Sequence, residues 1–176
     1  MREIFTAHFE SPIGWAEIQA VRQGILSLNF VETAGAVRRR DSDVSGQPEV
    51  LKAGLAQIGE YFRGARSSFS LPLALEGSDF QMNVWKALLR VPYGETTTYR
   101  DLAVAVGNTK ATRAVGGANH RNPISIIVPC HRVVGSDGRL TGYGGGLWRK
   151  EWLLRHERRH TRDKSSTGLQ PGGLSA

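Results

Sequence analysis

Along the first third of the chain, apolar and polar residues exchange at nearly every second position. Glu3–Glu10 ("EIFTAHFE"), Trp15–Val21 ("WAEIQAV") and Ile25–Val31 ("ILSLNFV") therefore predict three β-strands. "SPIG" and "RQG" supply the turns, so the strands form an antiparallel meander. Glu32–Gln47 is polar and carries a charge run, which predicts a mobile loop; Arg38, Arg39 and Arg40 have acids nearby and read as solvated. From Pro48 to Phe62 the period changes to that of a helix, with Leu51, Leu55, Ile58 and Phe62 on one face. Ser68–Leu75 is extended, and Pro72 suits a sheet edge or a departing linker. A domain boundary is expected near Glu76–Ser78.

The second half opens on a capping box, Ser78 with Gln81, ahead of Phe80, Val84, Ala87, Leu88 and Val91 on one helical face. After "PYG", Thr98 and Asp101 form a second box, and Leu102, Ala105 and Val106 are expected to face inward before Gly107. "KATRAVGGANH" then predicts another helix. The pair outlines a helix-turn-helix or an ordinary helical hairpin. Its expected exposed face offers Lys110, Arg113 and Asn119 among Ala, Val and Gly; Gly116 and Gly117 cost a helix about 1 kcal/mol each. Such a face suits shape and phosphate better than base sequence.

Pro123–Val128 predicts a buried strand closed by Pro129, and Gly142–Gly146 a glycine-rich loop. Leu147–Glu157 predicts an amphipathic helix with Leu147, Glu151 and Leu154 on one side and Trp148, Trp152 and Arg155 on another. From Arg158 onward no apolar period remains, which predicts a disordered basic tail. The expected class is α+β: an N-terminal antiparallel sheet with a helix over 1–77, a mostly helical, winged-helix-like domain over 78–157, and the tail 158–176.

Composition narrows the chemistry. The 176 residues carry one cysteine, 40% hydrophobic residues and a net charge of +7. No apolar run approaches the ~20 residues of a membrane helix, and the N-terminus does not read as a secretory signal. One cysteine excludes an internal disulfide and a cysteine-based zinc site, and points to a reducing cytoplasm. The basic excess sits in the second half: residues 79–157 hold 11 Lys/Arg against 6 Asp/Glu, and 158–176 hold 4 against 1. That distribution fits either a phosphate-binding footprint or a solvated basic face.

The single thiol, Cys130, follows Pro129 and precedes His131 and Arg132. A free cysteine has a pKa near ~8.5; lowering it by ~2 units makes the thiolate dominant, and nearby cations can supply that shift. The alternative is an inert apolar filler. The glycine loop contains no phosphate-binding G-x-x-x-x-G-K-[ST] and does not join a strand to a helix as a dinucleotide site requires. It can present backbone N–H groups to an oxygen.

Taken together, "SIIVPCHRVVGSDGRLTGYGGGLWRKEWLLRHE", "TYRDLA", "ATRAVGGANHRNP" and "FQMNVWKALLRVPYGETTTY" closely resemble the O6-alkylguanine-DNA alkyltransferase family. The resemblance is dense from Asp79 to Glu157 and looser before it, where it implies a ribonuclease-H-like fold. It implies that Cys130 is the alkyl acceptor, His131 the base acting through a water, and Glu157 the acid that orients it. It further implies that Asn122 braces the turn into the site and that Tyr99 hydrogen-bonds the guanine N3. Arg113 would fill the space of the extruded nucleotide, with Lys110, Ala111, Thr112, Gly116, Gly117 and Asn119 beside it on DNA. Val133, Tyr143, Gly144, Gly145, Trp148 and Lys150 would surround the base. Taken singly, Tyr99 also reads as a surface residue, Arg113 as a solvated charge, Asn122 as a turn residue and Glu157 as a helix-end acid. Gly144 and Trp148 depart from the family's usual residues, which leaves larger alkyl groups open.

The implied activity is a single-use repair reaction on double-stranded DNA carrying O6-alkylguanine, extended to O4-methylthymine, with no cofactor, metal or membrane. The free protein is expected to be a monomer, with cooperative assembly on DNA left open. Two rivals are weaker. A winged-helix regulator or lesion sensor needs no thiol, and a cysteine hydrolase brings its Cys and His together from distant positions.

Overall fold

In the computed structural model of the chain, residues 2–32 and 46–166 are described. The expected loop lies almost entirely outside them, as do residues 167–176 of the tail. Strands β1 (Phe5–Ser11), β2 (Gly14–Val21) and β3 (Gly24–Phe30) form an antiparallel sheet in that order. Along β2, Ala16, Ile18 and Ala20 point into the core while Glu17 and Gln19 alternate with them. Ser11 pairs with Gly14 across a tight turn, and the Ser11 hydroxyl donates to the Gly14 carbonyl at 2.6 Å. Helix α1 (Glu49–Phe62) packs on β2 and β3, and its buried residues are Leu51, Gly54, Ile58 and Tyr61. A Cβ on Gly54 would stand 2.9 Å from Ile18 Cδ1, so glycine lets this helix approach the sheet closely.

The free edge of β3 is closed by two distant segments. Ile25 exchanges backbone hydrogen bonds with Pro72 and Ala74, which makes Leu71–Ala74 the extended edge that Pro72 predicts. Leu28 donates to Pro123 O at 2.9 Å and accepts from Ser125 N at 2.9 Å. The second half thus joins the sheet just before the thiol.

Helices α2 (Asp79–Leu88) and α3 (Tyr99–Ala105) both begin with complete capping boxes, Ser78/Gln81 and Thr98/Asp101. Helix α4 (Thr112–His120) packs against both, and the Trp85 indole N–H donates to Ala118 O at 2.9 Å. Of the residues expected inward on α3, Leu102 is buried and Val106 partly so. Ala103, not the exposed Ala105, is buried beside Leu102 on this face. Two-residue strands β4 (Thr97–Thr98) and β5 (Val133–Val134) pair in parallel.

Three expectations need correction. Pro123–Val128 is not a strand: only Ile124 bridges β3, and the chain then turns tightly, with Ile127 N donating to Ser125 O and Val128 N to Ile124 O. Ile126 sits there at φ 71°, a left-handed conformation costly for a β-branched residue and held by full burial of its side chain. On α5 (Leu147–Ser166), Leu147 and Trp148 are exposed; the buried stripe is Lys150, Leu153, Leu154 and Glu157. Its spacing is helical, but two of its members are charged, which hid it from an apolar pattern. The helix also continues past Glu157 to Ser166 where disorder was expected. Trp152 stacks on His156 at 4.8 Å, His156 meets His160 at 4.4 Å, and this ladder packs against Tyr61 and Phe62 of α1. Aromatic rings at four-residue spacing, rather than aliphatic ones, extend the helix.

Candidate active site

Cys130 begins a one-turn 3-10 helix, Cys130–Arg132, at the exit of the strained turn. Asn122 builds that turn from inside. Its amide N–H donates to Val128 O at 2.7 Å and its carbonyl accepts from Ile124 N at 3.0 Å. Burial pushes the Cys130 thiol up. An Asn122 hydrogen bond, the Lys150 charge and the N–H groups of Cys130 and His131 only partly oppose this. Burial thus outweighs the nearby cations at this thiol, opposite in direction to the lowering that such cations can supply.

His131, Arg132 and Glu157 form a fully enclosed cluster. The His131 Nε2 lies 2.7 Å from Glu157 Oε1; Arg132 donates through Nε at 2.9 Å and Nη2 at 3.0 Å. Gly94 N–H and the Tyr61 hydroxyl, each at 2.9 Å, complete the shell around the carboxylate. Burial alone would raise Glu157, but His131 and Arg132 reverse this and hold it well below the usual carboxylate range. For His131, burial outweighs the attraction of Glu157 and holds the ring below its ordinary value. A neutral imidazole facing an ionised carboxylate carries its proton on Nε2, so the permanent cation at Glu157 is Arg132. The other nitrogen, Nδ1, is buried with no hydrogen-bond partner, which leaves a lone pair able to take a proton.

The thiol lines a cavity of about 140 Å³. Asn29 and Phe30 at the end of β3 form one side, Asn119 and His120 at the end of α4 another, and Gly142–Gly145 the roof. Ser125 and Asn122 complete it. The buried Asn119 Oδ1 has no hydrogen-bond partner among the described residues. Lys150 is buried beneath the loop: its Nζ donates to Thr141 O at 2.6 Å, and burial draws it down to about 8, with Cys130 pulling the other way. A larger groove of about 690 Å³ between β5 and α5 carries neither thiol nor imidazole, so it is not the reactive site.

Among the expected pocket residues, Tyr143, Gly144 and Gly145 do line the cavity. Val133 and Lys150 are buried and Trp148 is exposed; none of the three lines the cavity, and Lys150 instead donates to the Thr141 carbonyl of the loop. Asn119 is corrected from the exposed face of α4 to the cavity wall, since α4 ends there with Ala118 and Asn119 both inward. Arg113, Lys110 and Thr112 are exposed, Ala111, Gly116 and Gly117 half-buried. Arg113, Lys110 and Gly117 line an open groove of about 610 Å³ with Phe80. Tyr99 stands at the cavity's edge, its hydroxyl donating to Thr141 O at 3.2 Å. Sequence reasoning missed Asn29, Phe30, Ser125 and Tyr61; all are brought in by folding, and no local signal marks them. Among the described residues, no group of three or more His, Cys, Asp or Glu could hold a metal ion, and no helix is long and apolar enough to cross a membrane.

The site thus joins a lone thiol in a cavity to an adjacent buried imidazole–carboxylate pair, next to a helix pair that exposes Lys110 and Arg113. Comparison with known proteins makes this specific: the chain belongs to the 6-O-methylguanine DNA methyltransferase family. Residues 79–159 match its DNA binding domain and residues 4–75 its ribonuclease-like domain. A methylated-DNA–protein-cysteine methyltransferase of Methanosarcina acetivorans is 47% identical over 154 residues, covering 88% of this chain and 98% of that one. One of Mycobacterium leprae is 55% identical over 151 residues, covering 85% and 89%. The crystal structure of Mycobacterium tuberculosis O6-methylguanine methyltransferase superposes with a TM-score of 0.77 at 40% identity, covering 90% of this chain and 94% of that one. The same protein in complex with DNA gives 0.77 at 42%, covering 88% and 93%. The α+β class, with its N-terminal antiparallel sheet and helical C-terminal half, agrees with these neighbours.

Proposed function

We propose that the chain repairs alkylated DNA by moving the alkyl group of O6-methylguanine irreversibly onto Cys130. The observation that carries this is the thiol on the wall of a base-sized cavity, followed directly by an imidazole whose Nδ1 has no protein partner. The neutral His131 takes the thiol proton at Nδ1 through a water, and Glu157, ionised throughout, stabilises the resulting imidazolium. The sulfur attacks the alkyl carbon, the S–C bond forms, and the C–O6 bond breaks with its electron pair going to the guanine. Tyr99 hydrogen-bonds N3 as charge develops there. The product thioether has no activated leaving group, so each molecule acts once.

A cavity of about 140 Å³ admits one base and not a base pair. The lesion must therefore leave the duplex, at a cost of a few kcal/mol. Exposed Arg113 fills the gap it leaves, while Lys110, Thr112 and the small residues of α4 lie on the backbone. Tyr143, Gly144, Gly145 and Asn119 hold the base, and O4-methylthymine fits the same cavity. Residues 1–77 are the supporting domain and 78–157 the DNA-binding and acceptor domain of a cytoplasmic protein that is monomeric when free.

Intact mass spectrometry after incubation with a duplex bearing one O6-methylguanine tests the reading. The expected result is a gain of one methylene mass on Cys130, absent in Cys130→Ala, which still binds duplex. A protein that binds the lesion and gains no mass is a sensor, and the proposal fails.

A further inference from the structure

Tyr61 belongs to α1, in the half of the chain that carries none of the groups assigned above to proton or alkyl transfer. Its ring packs among Phe62, Phe69 and Tyr93. Its hydroxyl donates to Glu157 Oε1 at 2.9 Å, the same oxygen that meets His131 Nε2 at 2.7 Å and Arg132 Nη2 at 3.0 Å. Both side chains are completely buried, so no solvent molecule can substitute for the hydroxyl.

We infer that Tyr61 is a positioning residue for Cys130 chemistry, acting through Glu157 to set the orientation and basicity of His131. This rests on the alkyl-transfer reading above. A carboxylate oxygen held by three donors cannot rotate away from the imidazole. Each donor also draws charge from that oxygen, so it accepts less strongly from His131 than an unshared carboxylate would. The groups facing this cluster come from four places. Tyr61 comes from α1, Tyr93 from the segment after α2, Cys130, His131 and Arg132 from the 3-10 turn, and Lys150, His156 and Glu157 from α5. Of these, only Tyr61, His131 and Arg132 bond the Glu157 carboxylate, with Gly94 N–H as the remaining donor. The competing view is that Tyr61 is a core ring whose hydroxyl merely needs an acceptor.

Tyr61→Phe removes the hydroxyl and keeps the ring. Single-turnover methyl transfer from an O6-methylguanine duplex is expected to slow about tenfold, the effect of losing one hydrogen bond to a charged group, with duplex affinity unchanged. In the free protein, the His131 ring followed by NMR should titrate at a higher pH, because the relieved carboxylate pulls harder on it. In a Glu157→Gln background, Tyr61→Phe should add no further slowing. A variant that melts lower yet transfers at the wild-type rate, with the His131 titration unmoved, overturns the inference, as does full slowing in the Glu157→Gln background. If wild-type protein transfers no methyl group while Tyr61→Phe still shifts His131, the alkyl-transfer reading fails and the coupling stands.

Discussion

The Arg149 guanidinium lies over the Phe30 ring, 4.8 Å from its centroid. The same side chain donates to Ile13 O at 2.8 Å and to Gly145 O at 2.7 Å. One residue of α5 therefore ties two walls of the cavity, the end of β3 and the glycine loop, to the first turn of the sheet. Arg149→Ala should cost about 2 kcal/mol, a drop of about 4–8 °C in Tm for a chain of this size. It should also free the loop, so that transfer from O6-benzylguanine gains relative to O6-methylguanine. Thermal melts and competition between the two oligonucleotides measure both.

Cys130 should react with iodoacetamide slowly at neutral pH. Burial raises the thiol, so the rate should climb with pH to a midpoint above that of a free cysteine near ~8.5. Asn122→Ala removes a hydrogen bond to the sulfur and two bonds that shape the turn, so the midpoint should move higher still. A midpoint below that of free cysteine would contradict the burial argument.

Glu157→Gln breaks a buried ion pair and should destabilise the protein by about 3–5 kcal/mol. The pH dependence carries a sign. Glu157 is held below its unfolded value, so its contribution is complete above the ordinary carboxylate range and is lost as pH falls through and below that range. Wild-type Tm should fall on acidification below about pH 4.3, and that part of the slope should be missing in Glu157→Gln.

Arg113→Ala should slow transfer from a lesion in duplex DNA by more than tenfold and from the same lesion in a single strand by much less. A side chain that fills the space of an extruded base has nothing to replace where there is no stack. Equal slowing on both substrates would make Arg113 a phosphate contact instead.

Much of the fold can be read from the chain because its signals are local. The strand alternation, the period of α1 and both capping boxes rest on residues within one or two turns of each other, and each element forms where expected. Cys130 and His131 are likewise adjacent. What escaped was non-local or inverted. Nothing near Asn29 or Tyr61 marks them as neighbours of residues near 130 and 157, since only folding brings them there. Lys150 and Glu157 defeated the apolar pattern by being charged and buried together. Pro123–Val128 has a strand's composition, but only Pro123 and Ser125 bond β3, while Asn122 bends the rest into a turn.

That turn has a second consequence. Leu28 keeps its backbone groups paired only while Pro123 and Ser125 lie against it. Were the segment to peel off, β3 would bare unpaired main-chain groups along an apolar strand, the usual template for intermolecular aggregation. The bonds that anchor the segment leading to Cys130 are thus also those that keep one molecule from sticking to the next.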